Sequence, residues 1–386
     1  MKNDFLLFHK PFISEEEVDE IVDTVRSGWL SMGPKTIRFE NNFSEYIGVN
    51  KSVAVSSWTA AGHLSLEAFG IKEGDEVIVP TMTFPATAEI VCYFKAKPVI
   101  VDVDEDTLNI SLEAIEKAIT PKTKAIIPVH YGGQPCDLDE IHAIAKKHNI
   151  KVLEDAAHSL PAKYKGKKIG TISDVTCFSF YATKTLSTGE GGMICTNDEE
   201  IAERVKIMRL HGINRDAWKR YTESGSWYYE VVAPGYKYNF TDLQASLGLP
   251  QLKKVDTMWN SRKRIAAKYT EALKDLDMIQ LHTIKPDRDS SWHLFPIRLY
   301  LDRITKNRAQ IINELREKKI GVGVHFMPVH QHLYYSETFN LSDAEYPVAS
   351  AAFPRLMSLP IYPGMTDDNV DKVIDVLINI LNKFKK

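Results

Sequence analysis

The chain has 386 residues, of which 44% are hydrophobic and 26% are charged, and its formal net charge at pH 7 is −3. This balance is ordinary for a globular protein and gives no overall electrostatic reason for binding nucleic acid or an anionic membrane. The N-terminal stretch "MKNDFLLFHKPF" lacks a long apolar run, and no stretch of about 18 apolar residues occurs. We therefore expect a cytoplasmic protein with a large core and two domains.

The first predicted helix has clear signals at both ends. Ser14 is followed three residues later by Glu17, which is the spacing of a capping box, and Gly28 is placed to end the helix. Between these ends the apolar residues recur at helical spacing and form one stripe. The stripe consists of Val18, Ile21, Val22 and Val25.

Short apolar runs then alternate with helical patterns up to about residue 196. The predicted strands are 52–57, 75–80, 98–103, 125–131, 151–157, 175–181 and 191–196. Segment 137–150 has its apolar residues on one face and predicts a helix between two of these strands. Such alternation predicts an α/β fold with a mostly parallel sheet that helices cover on both faces.

The alternation weakens after residue 250. Segments 292–300 and 321–326 predict strands, 306–319 predicts a helix, and an amphipathic helix closes the chain. We interpret residues 1–250 as a large domain and 251–386 as a smaller α+β domain. The N-terminal segment is free to contribute to the small domain or to the substrate site.

Several predicted strands end in polar groups that suit one kind of chemistry. Asp155 ends one strand, Ser56 and Ser57 end another before a helix begins, and Ser179 lies five residues before Lys184. Ligands of α/β sheets bind at the carboxyl ends of strands. A lysine, a carboxylate, a hydroxyl and a helix N-terminus are the groups that pyridoxal phosphate needs.

Each of these residues also has a plainer explanation. Lysines near strand ends are usually solvated, and an aspartate or serine there often caps the next helix. The "GEGG" stretch at 189–192 can be a simple turn, and no GxxxxGK[ST] motif indicates a nucleotide triphosphatase. Residue spacing alone therefore leaves the alternatives open.

A resemblance to a known family carries more weight. The segments "PVHYGG", "EDAAH", "FSFYATKTLSTGEGGM", "APGYKYNFTDLQAS" and "GVGVHF" resemble the DegT/DnrJ/EryC1/StrS family of pyridoxal-phosphate-dependent sugar aminotransferases. The likeness covers nearly the whole chain. Together with "GWLSMGPKT" and "LHGINRDAW" it looks most similar to the UDP-4-amino-4-deoxy-L-arabinose aminotransferase branch. It implies a fold-type I aminotransferase that works as a homodimer with shared active sites.

The resemblance implies a catalytic role for three residues. Lys184 is the expected Schiff-base lysine and, once displaced, the base that moves the proton. Asp155 is expected to pair with the pyridine nitrogen. His158 is expected beside the ring, near its phenolic oxygen.

The resemblance also implies a cofactor-binding set. Thr59 and Ala60 are expected to contact the phosphate through their backbone, with the Ser179 hydroxyl adding a further contact. Phe84 stands where the family places an aromatic ring against the cofactor. Asn239 is expected to reach the phosphate bound in the neighbouring subunit.

The substrate side has fewer signals. Lys35 and Arg215 are cations suited to a diphosphate, although Arg215 is equally well explained as a solvated surface residue. The resemblance places His325 near the sugar or the donor carboxylate. His325, His330 and His332 lie close in sequence, but no carboxylate or cysteine completes a metal site at convincing spacing. We expect no metal.

One position departs from the family pattern. Trp58 follows Ser57 where the family usually has a small residue. A bulky indole there can reshape the phosphate-binding turn or point into the core. The core is the expected location, since buried tryptophans are commonly structural.

These observations predict a transaminase. We expect transfer of the amino group from L-glutamate to a nucleotide-linked 4-keto sugar, with UDP as the favoured nucleotide, for a surface polysaccharide or lipid A. One alternative is amination at C3 of a dTDP-linked 3-keto-6-deoxy sugar, and another is a non-catalytic regulator that binds pyridoxal phosphate. Some relatives use a histidine in place of the Schiff-base lysine for sugar deoxygenation, and Lys184 argues against that chemistry.

Overall fold

The computed structural model describes residues 5–214 and 228–386. Its largest sheet has seven strands in the order β1-β9-β8-β5-β4-β2-β3. All neighbours are parallel except β9, which runs antiparallel to β1 and β8. The strands up to residue 196 are β1 (Lys51–Val55), β2 (Glu76–Pro80), β3 (Lys97–Val101), β4 (Thr123–Ile126), β5 (Lys151–Asp155), β6 (Lys163–Tyr164), β7 (Lys167–Lys168), β8 (Val175–Ser179) and β9 (Gly192–Thr196).

The mostly parallel α/β sheet predicted from the sequence is confirmed, and each of its seven predicted strands forms. Successive strand residues alternate between two buried clusters, which shows that both faces of the sheet are covered. In β2, for example, Val77 and Val79 face one cluster and Ile78 faces the other. The helices of this part are α1 (Glu15–Ser27), α2 (Pro34–Ile47), α3 (Trp58–Ala68), α4 (Ala86–Cys92), α5 (Leu112–Ala118), α6 (Leu138–His148) and α7 (Glu199–Met208).

A third buried cluster forms the core of the C-terminal part. There a small antiparallel sheet has the order β10-β12-β13, and Leu6 of the N-terminal segment joins this core through a bridge to Ile320. The elements of this part are α8 (Asp242–Leu273), β10 (Ile279–Leu281), β11 (Arg288–Asp289), β12 (Phe295–Leu299), α9 (Arg308–Glu317), α10 (Leu333–Phe339), α11 (Pro347–Ala352), β13 (Leu356–Leu359) and α12 (Asp367–Lys383).

Helix α8 belongs to both parts of the molecule. Leu252 and Val255 pack into a core of the large sheet, whereas Ile265 and Tyr269 pack into the C-terminal core. The division predicted at residue 250 therefore falls inside one continuous helix of 32 residues. Among the described residues, no helix is both long and apolar enough to cross a bilayer.

The prediction of a strand over residues 321–326 was wrong. Only Gly323 of this segment pairs, through an isolated antiparallel bridge to Ser358. The Gly321 amide instead donates to the Leu6 carbonyl at 2.8 Å, so the N-terminal segment occupies this edge. His325 and Phe326 then continue into the wall of a cavity.

The first helix has the predicted caps but a different buried face. Ser14 and Glu17 form the capping box, and Gly28 ends the helix with a φ of 74°. Three residues of the predicted apolar stripe are exposed, since Val18, Val22 and Val25 are 44%, 38% and 56% accessible, and Ile21 is half-buried. Glu17 is buried instead, because Gln251 of α8 donates a 2.9 Å hydrogen bond to its carboxylate and the Lys254 ammonium of α8 pairs with it.

Helix α2 receives its N-terminal cap from a distant residue. Its N-cap is Gly33, which has no side chain to satisfy the free amides. The buried Asp242 carboxylate accepts hydrogen bonds from the amides of Gly33 at 2.8 Å, Thr36 at 2.8 Å and Lys35 at 3.0 Å. A negative charge also favours the positive end of the helix dipole. Asp242 thus fixes the start of α2 against the start of α8.

We expect the Asp242→Asn substitution to lower the free energy of unfolding by about 2 kcal/mol, because an amide offers one acceptor oxygen where the carboxylate offers two. Urea denaturation followed by circular dichroism measures this change. Asp375→Asn, on the exposed side of α12, is the matched control and should change stability by less than about 0.5 kcal/mol. Equal effects of the two substitutions would contradict the capping role.

Candidate active site

A cavity of about 480 Å³ opens where the large sheet meets the C-terminal part. This volume lies in the range of small-molecule sites. Residues that follow the carboxyl ends of β1, β2, β5 and β8 line it on one side, and residues between 293 and 361 line it on the other. The sequence-predicted residues in its lining are Thr59, Phe84, Asp155, His158, Ser179, Lys184 and His325.

Lys184 lies in the loop that joins the antiparallel strands β8 and β9. The fully buried Leu186 anchors this loop, and the Lys184 amide donates to the Tyr181 carbonyl at 2.9 Å. Burial lowers the pKa of Lys184 to about 8, while the nearby Asp155 opposes that shift. Roughly a tenth of this amine is therefore unprotonated and nucleophilic at pH 7, far more than of an ordinary lysine.

Asp155 ends β5 and is almost fully buried. Its carboxylate accepts a 2.9 Å hydrogen bond from the Thr87 hydroxyl and a 3.1 Å bond from the Ala157 amide. Desolvation raises the pKa of Asp155 to about 6, although these two bonds and the charge of Lys184 act in the opposite direction. The carboxylate is thus fixed in place and would be stabilised by a cation in the cavity.

Two predicted histidines face the same space as neutral rings. His158 is buried, and its ring stacks on Phe326 with centroids 5.7 Å apart. The His325 Nδ1 lies 3.1 Å from the Ser358 hydroxyl, and its ring stacks on Phe8. Burial lowers the pKa of His325 to about 4 and that of His158 well below its usual value. These rings can exchange hydrogen bonds with a ligand without adding charge.

The start of α3 borders the cavity beside Ser179. The Ser57 hydroxyl caps this helix by accepting the Ala60 amide at 3.0 Å, so that amide already has a partner and Ala60 does not line the cavity. A Cβ at Gly192 would lie 2.5 Å from the Ser57 carbonyl oxygen, so only glycine allows β9 to approach this turn. This requirement explains a glycine of the "GEGG" stretch. The arrangement offers an anion a helix N-terminus and a hydroxyl.

Trp58 packs mainly in the core, although it also borders the cavity. Its side chain is 7% accessible and packs in one of the buried clusters of the sheet. Its indole N–H donates to the Cys177 carbonyl at 3.0 Å, which satisfies the only polar group of the ring. The tryptophan that departs from the family pattern is therefore fixed beneath the start of α3.

Lys35 and Asn239, like Ala60, do not line the cavity within this chain. The Lys35 ammonium pairs with Glu20 at 2.9 Å and with Asp23 at 2.7 Å. Asn239 pairs with Val55 in an isolated backbone bridge. Arg215 lies outside the described residues.

Of the clustered histidines, His330 is also directed away from the cavity. Its ring bonds to the Thr81 hydroxyl at 2.6 Å and to the Asp343 carboxylate at 3.1 Å. Within the described ranges, no three histidine, cysteine, aspartate or glutamate side chains are grouped to hold a metal.

The structure adds cavity residues that sequence reasoning missed. Thr87 bonds to Asp155 although it lies 68 residues earlier in the chain, and a run of threonines after β2 was its only signal. His9 and His293 also line the cavity, from the N-terminal segment and from the chain just before β12. Neither lies in a segment that carried the resemblance.

Comparison with known proteins agrees with this geometry. Residues 11–378 match the model of the DegT/DnrJ/EryC1/StrS aminotransferase family. The chain belongs to this family. It is 51% identical to an uncharacterized protein of Methanocaldococcus jannaschii over 383 residues, and the alignment covers 99% of each chain. It is 46% identical to the spore coat polysaccharide biosynthesis protein SpsC of Bacillus subtilis over 381 residues, and the alignment covers 98% of each chain.

Solved structures of this family share the fold closely. The PMP-form of Spr1654 from Streptococcus pneumoniae superposes with a TM-score of 0.92 at 36% identity and covers 98% of this chain and 99% of that one. Its PLP-form gives a TM-score of 0.91 at 35% identity, with the same coverage.

The shifted pKa of Lys184 predicts how its reactivity depends on pH. We expect its rate of acetylation by acetic anhydride, followed by peptide mass spectrometry, to rise with a midpoint near pH 8. Asp155→Asn should move this midpoint to lower pH, because removing the negative charge destabilises the ammonium form. The exposed Lys318 is the internal standard for reagent decay. An unchanged midpoint in the variant would show that the two groups do not interact.

Proposed function

We propose that this protein transfers the amino group of L-glutamate to the keto carbon of a nucleotide-linked sugar. The observation that carries the proposal is the joint burial of Lys184 and Asp155 in one cavity at the carboxyl edge of the sheet. Membership of an aminotransferase family supports a catalytic rather than a structural role for this pair. The pyridoxal phosphate predicted from the sequence is confirmed as the cofactor by the PLP- and PMP-forms of a related structure.

The residues of the cavity fit this cofactor. Asp155 is a buried carboxylate held by Thr87 and suits a protonated ring nitrogen. The His158 Nδ1 is buried and has no hydrogen-bond partner among the described residues, so it is available to a ligand. The start of α3 with Thr59 and the Ser179 hydroxyl would hold the phosphate.

Phe84 completes this set at the mouth of the cavity. Its ring is 61% accessible and contacts Phe326 edge-on, with centroids 6.1 Å apart. Exposed aromatic surface of this kind is available to stack against a flat ligand. We propose that Phe84 covers the outer side of the cofactor.

Bound pyridoxal phosphate supplies the electron sink that makes an α-proton of the donor removable. The side chains of the cavity would move the proton and orient the ligand. The amine of Lys184, with its pKa near 8, takes and returns the proton near neutral pH. Asp155 would hold the ring nitrogen through its negative charge, and the neutral His158 and His325 would orient the ligand without competing for the proton.

For the acceptor we propose a UDP-linked 4-keto sugar that feeds a surface polysaccharide or lipid A. The likeness to SpsC, a spore coat polysaccharide biosynthesis protein, supports a surface glycan as the class of end product. His325, held by Ser358 in the cavity wall, is the proposed contact to the sugar or the donor carboxylate. Lys35 and Arg215 remain predictions for the diphosphate.

We expect the purified protein, supplied with pyridoxal phosphate and L-glutamate, to release 2-oxoglutarate with at least one UDP-linked 4-keto sugar. Lys184→Ala should lower the rate about 1,000-fold or more, because it removes the group that moves the proton. Product NMR assigns the aminated carbon. Turnover with dTDP-linked 3-keto sugars alone would favour the C3 alternative, and no turnover with the entire panel would favour a binding protein.

We also propose that the protein acts as a homodimer with active sites shared between subunits. Three residues of the apolar stripe of α1, Val18, Val22 and Val25, are exposed in the single chain and suit a protein contact. Asn239 does not line the cavity of its own chain, which supports a role in the partner's site.

Subunit complementation tests this sharing. Lys184→Ala and Asn239→Ala should each be nearly inactive alone, yet a refolded equal mixture should recover about a quarter of the wild-type activity. Half of the random dimers are mixed, and each mixed dimer has one site with both residues intact. Mixing Lys184→Ala with Asp155→Ala is the control and should restore nothing, since these residues act in the same subunit. No recovery in the first mixture would refute the shared site.

A further inference from the structure

His293 forms a close pair with His158 in the wall of the cavity. The two ring centroids are 4.3 Å apart and the planes are inclined by 35°. Both side chains are more than nine-tenths buried, and both line the cavity. The Nδ1 atom of each ring is buried and has no hydrogen-bond partner within the described ranges. Buried polar atoms of this kind normally find a partner, so both rings have capacity left for a ligand or an ordered water.

The backbone of this pair is held by one hydroxyl. Ser291 donates to the His158 carbonyl and accepts the His293 amide at 3.3 Å. Its own amide donates to the Gly133 carbonyl at 3.1 Å, and the Leu294 amide donates to the Gly132 carbonyl at 3.1 Å. The chain before β12 is thereby joined to the large sheet at the point where His158 enters the cavity.

Gly133 makes this close approach possible. Its φ is +107°, and a Cβ there would lie 2.0 Å from the Ser291 hydroxyl and 3.0 Å from the His158 carbonyl oxygen. Any side chain would separate the two segments. The glycines of the "PVHYGG" stretch, which the cofactor-binding set does not use, thus serve the placement of His158.

We propose that His293 is a positioning residue, whose ring packs behind His158 and, together with Ser291, fixes that imidazole in the cavity wall where the cofactor ring binds. His158 also stacks on Phe326, with ring centroids 5.7 Å apart. His158 is therefore in contact with two other rings, which restrict its rotation. His293 acts through His158 and not on the substrate. This inference rests on the proposed function.

The test uses the full-length protein and two readouts that need no sugar substrate. One is the dissociation constant for pyridoxal phosphate from equilibrium dialysis, and the other is the pH midpoint of the visible absorbance of the holoprotein. We expect His293→Ala to weaken cofactor binding about tenfold and to shift the absorbance midpoint, because His158 loses its packing. His293→Phe keeps a ring at this position and should restore the affinity to within about threefold of wild type.

A double-mutant cycle separates positioning from an independent contact. If His293 acts through His158, the variant with both residues changed to Ala should bind the cofactor no more weakly than His158→Ala alone. If the loss of cofactor affinity in the double variant equals the product of the losses in the two single variants, the proposal is overturned. It is also overturned if His293→Ala keeps the wild-type cofactor affinity and the wild-type absorbance midpoint. Ser291→Ala offers a milder variant should His293→Ala fail to fold, with an expected loss of about threefold.

His330→Ala is the matched control. His330 is equally buried and stacks on Tyr346 with centroids 4.2 Å apart, but it does not line the cavity. We expect it to lower stability while leaving the absorbance midpoint unchanged. A midpoint shift in this control equal to that of His293→Ala would refute the specific role of His293. If the protein aminates no sugar, both cofactor readouts still decide the role of His293.

Discussion

The candidate site depends on placing a lysine and an aspartate together in one cavity where water is scarce. Desolvation moves the pKa of Lys184 down to about 8 and that of Asp155 up to about 6, so burial brings both groups towards neutral pH. Their mutual attraction limits each shift. An exposed lysine and aspartate with the same spacing would both be fully charged at neutral pH, and the amine would be a poor nucleophile.

Keeping these groups buried has a cost in stability that other contacts offset. A carboxylate out of water is tolerable only with hydrogen bonds, and the Thr87 hydroxyl and the Ala157 amide supply them. The loop of Lys184 is irregular and depends on Leu186 beneath it.

The sequence predicted the large sheet well because its strands are short β-branched runs between helices, a pattern that depends on local residues. It failed where remote contacts decide. Glu17 is buried in place of the apolar stripe of α1 because Gln251 and Lys254 lie opposite it. Segment 321–326 has a strand-like composition, but the N-terminal segment takes its hydrogen bonds through Leu6.

In the candidate site, too, residues in local motifs were predicted and residues placed by remote contacts were missed. Its lysine, aspartate and nearest histidine were found because they lie in distinctive motifs after strands. Thr87 was missed because only the folded chain brings it to Asp155, and His293 because its segment has no chemical signal of its own. Thr87 and His293 act through their contacts in the folded chain, and a single sequence does not show which remote residues will be in contact.

The continuity of α8 ties the two parts of the molecule to each other. Its first half completes a core of the large sheet, and its second half supports the C-terminal sheet. Tyr335 and Tyr346, although late in the chain, pack with the large sheet as well. Cutting the chain at residue 250 would leave both fragments with open apolar surfaces, so any shortened form that retains activity must keep these elements in one polypeptide.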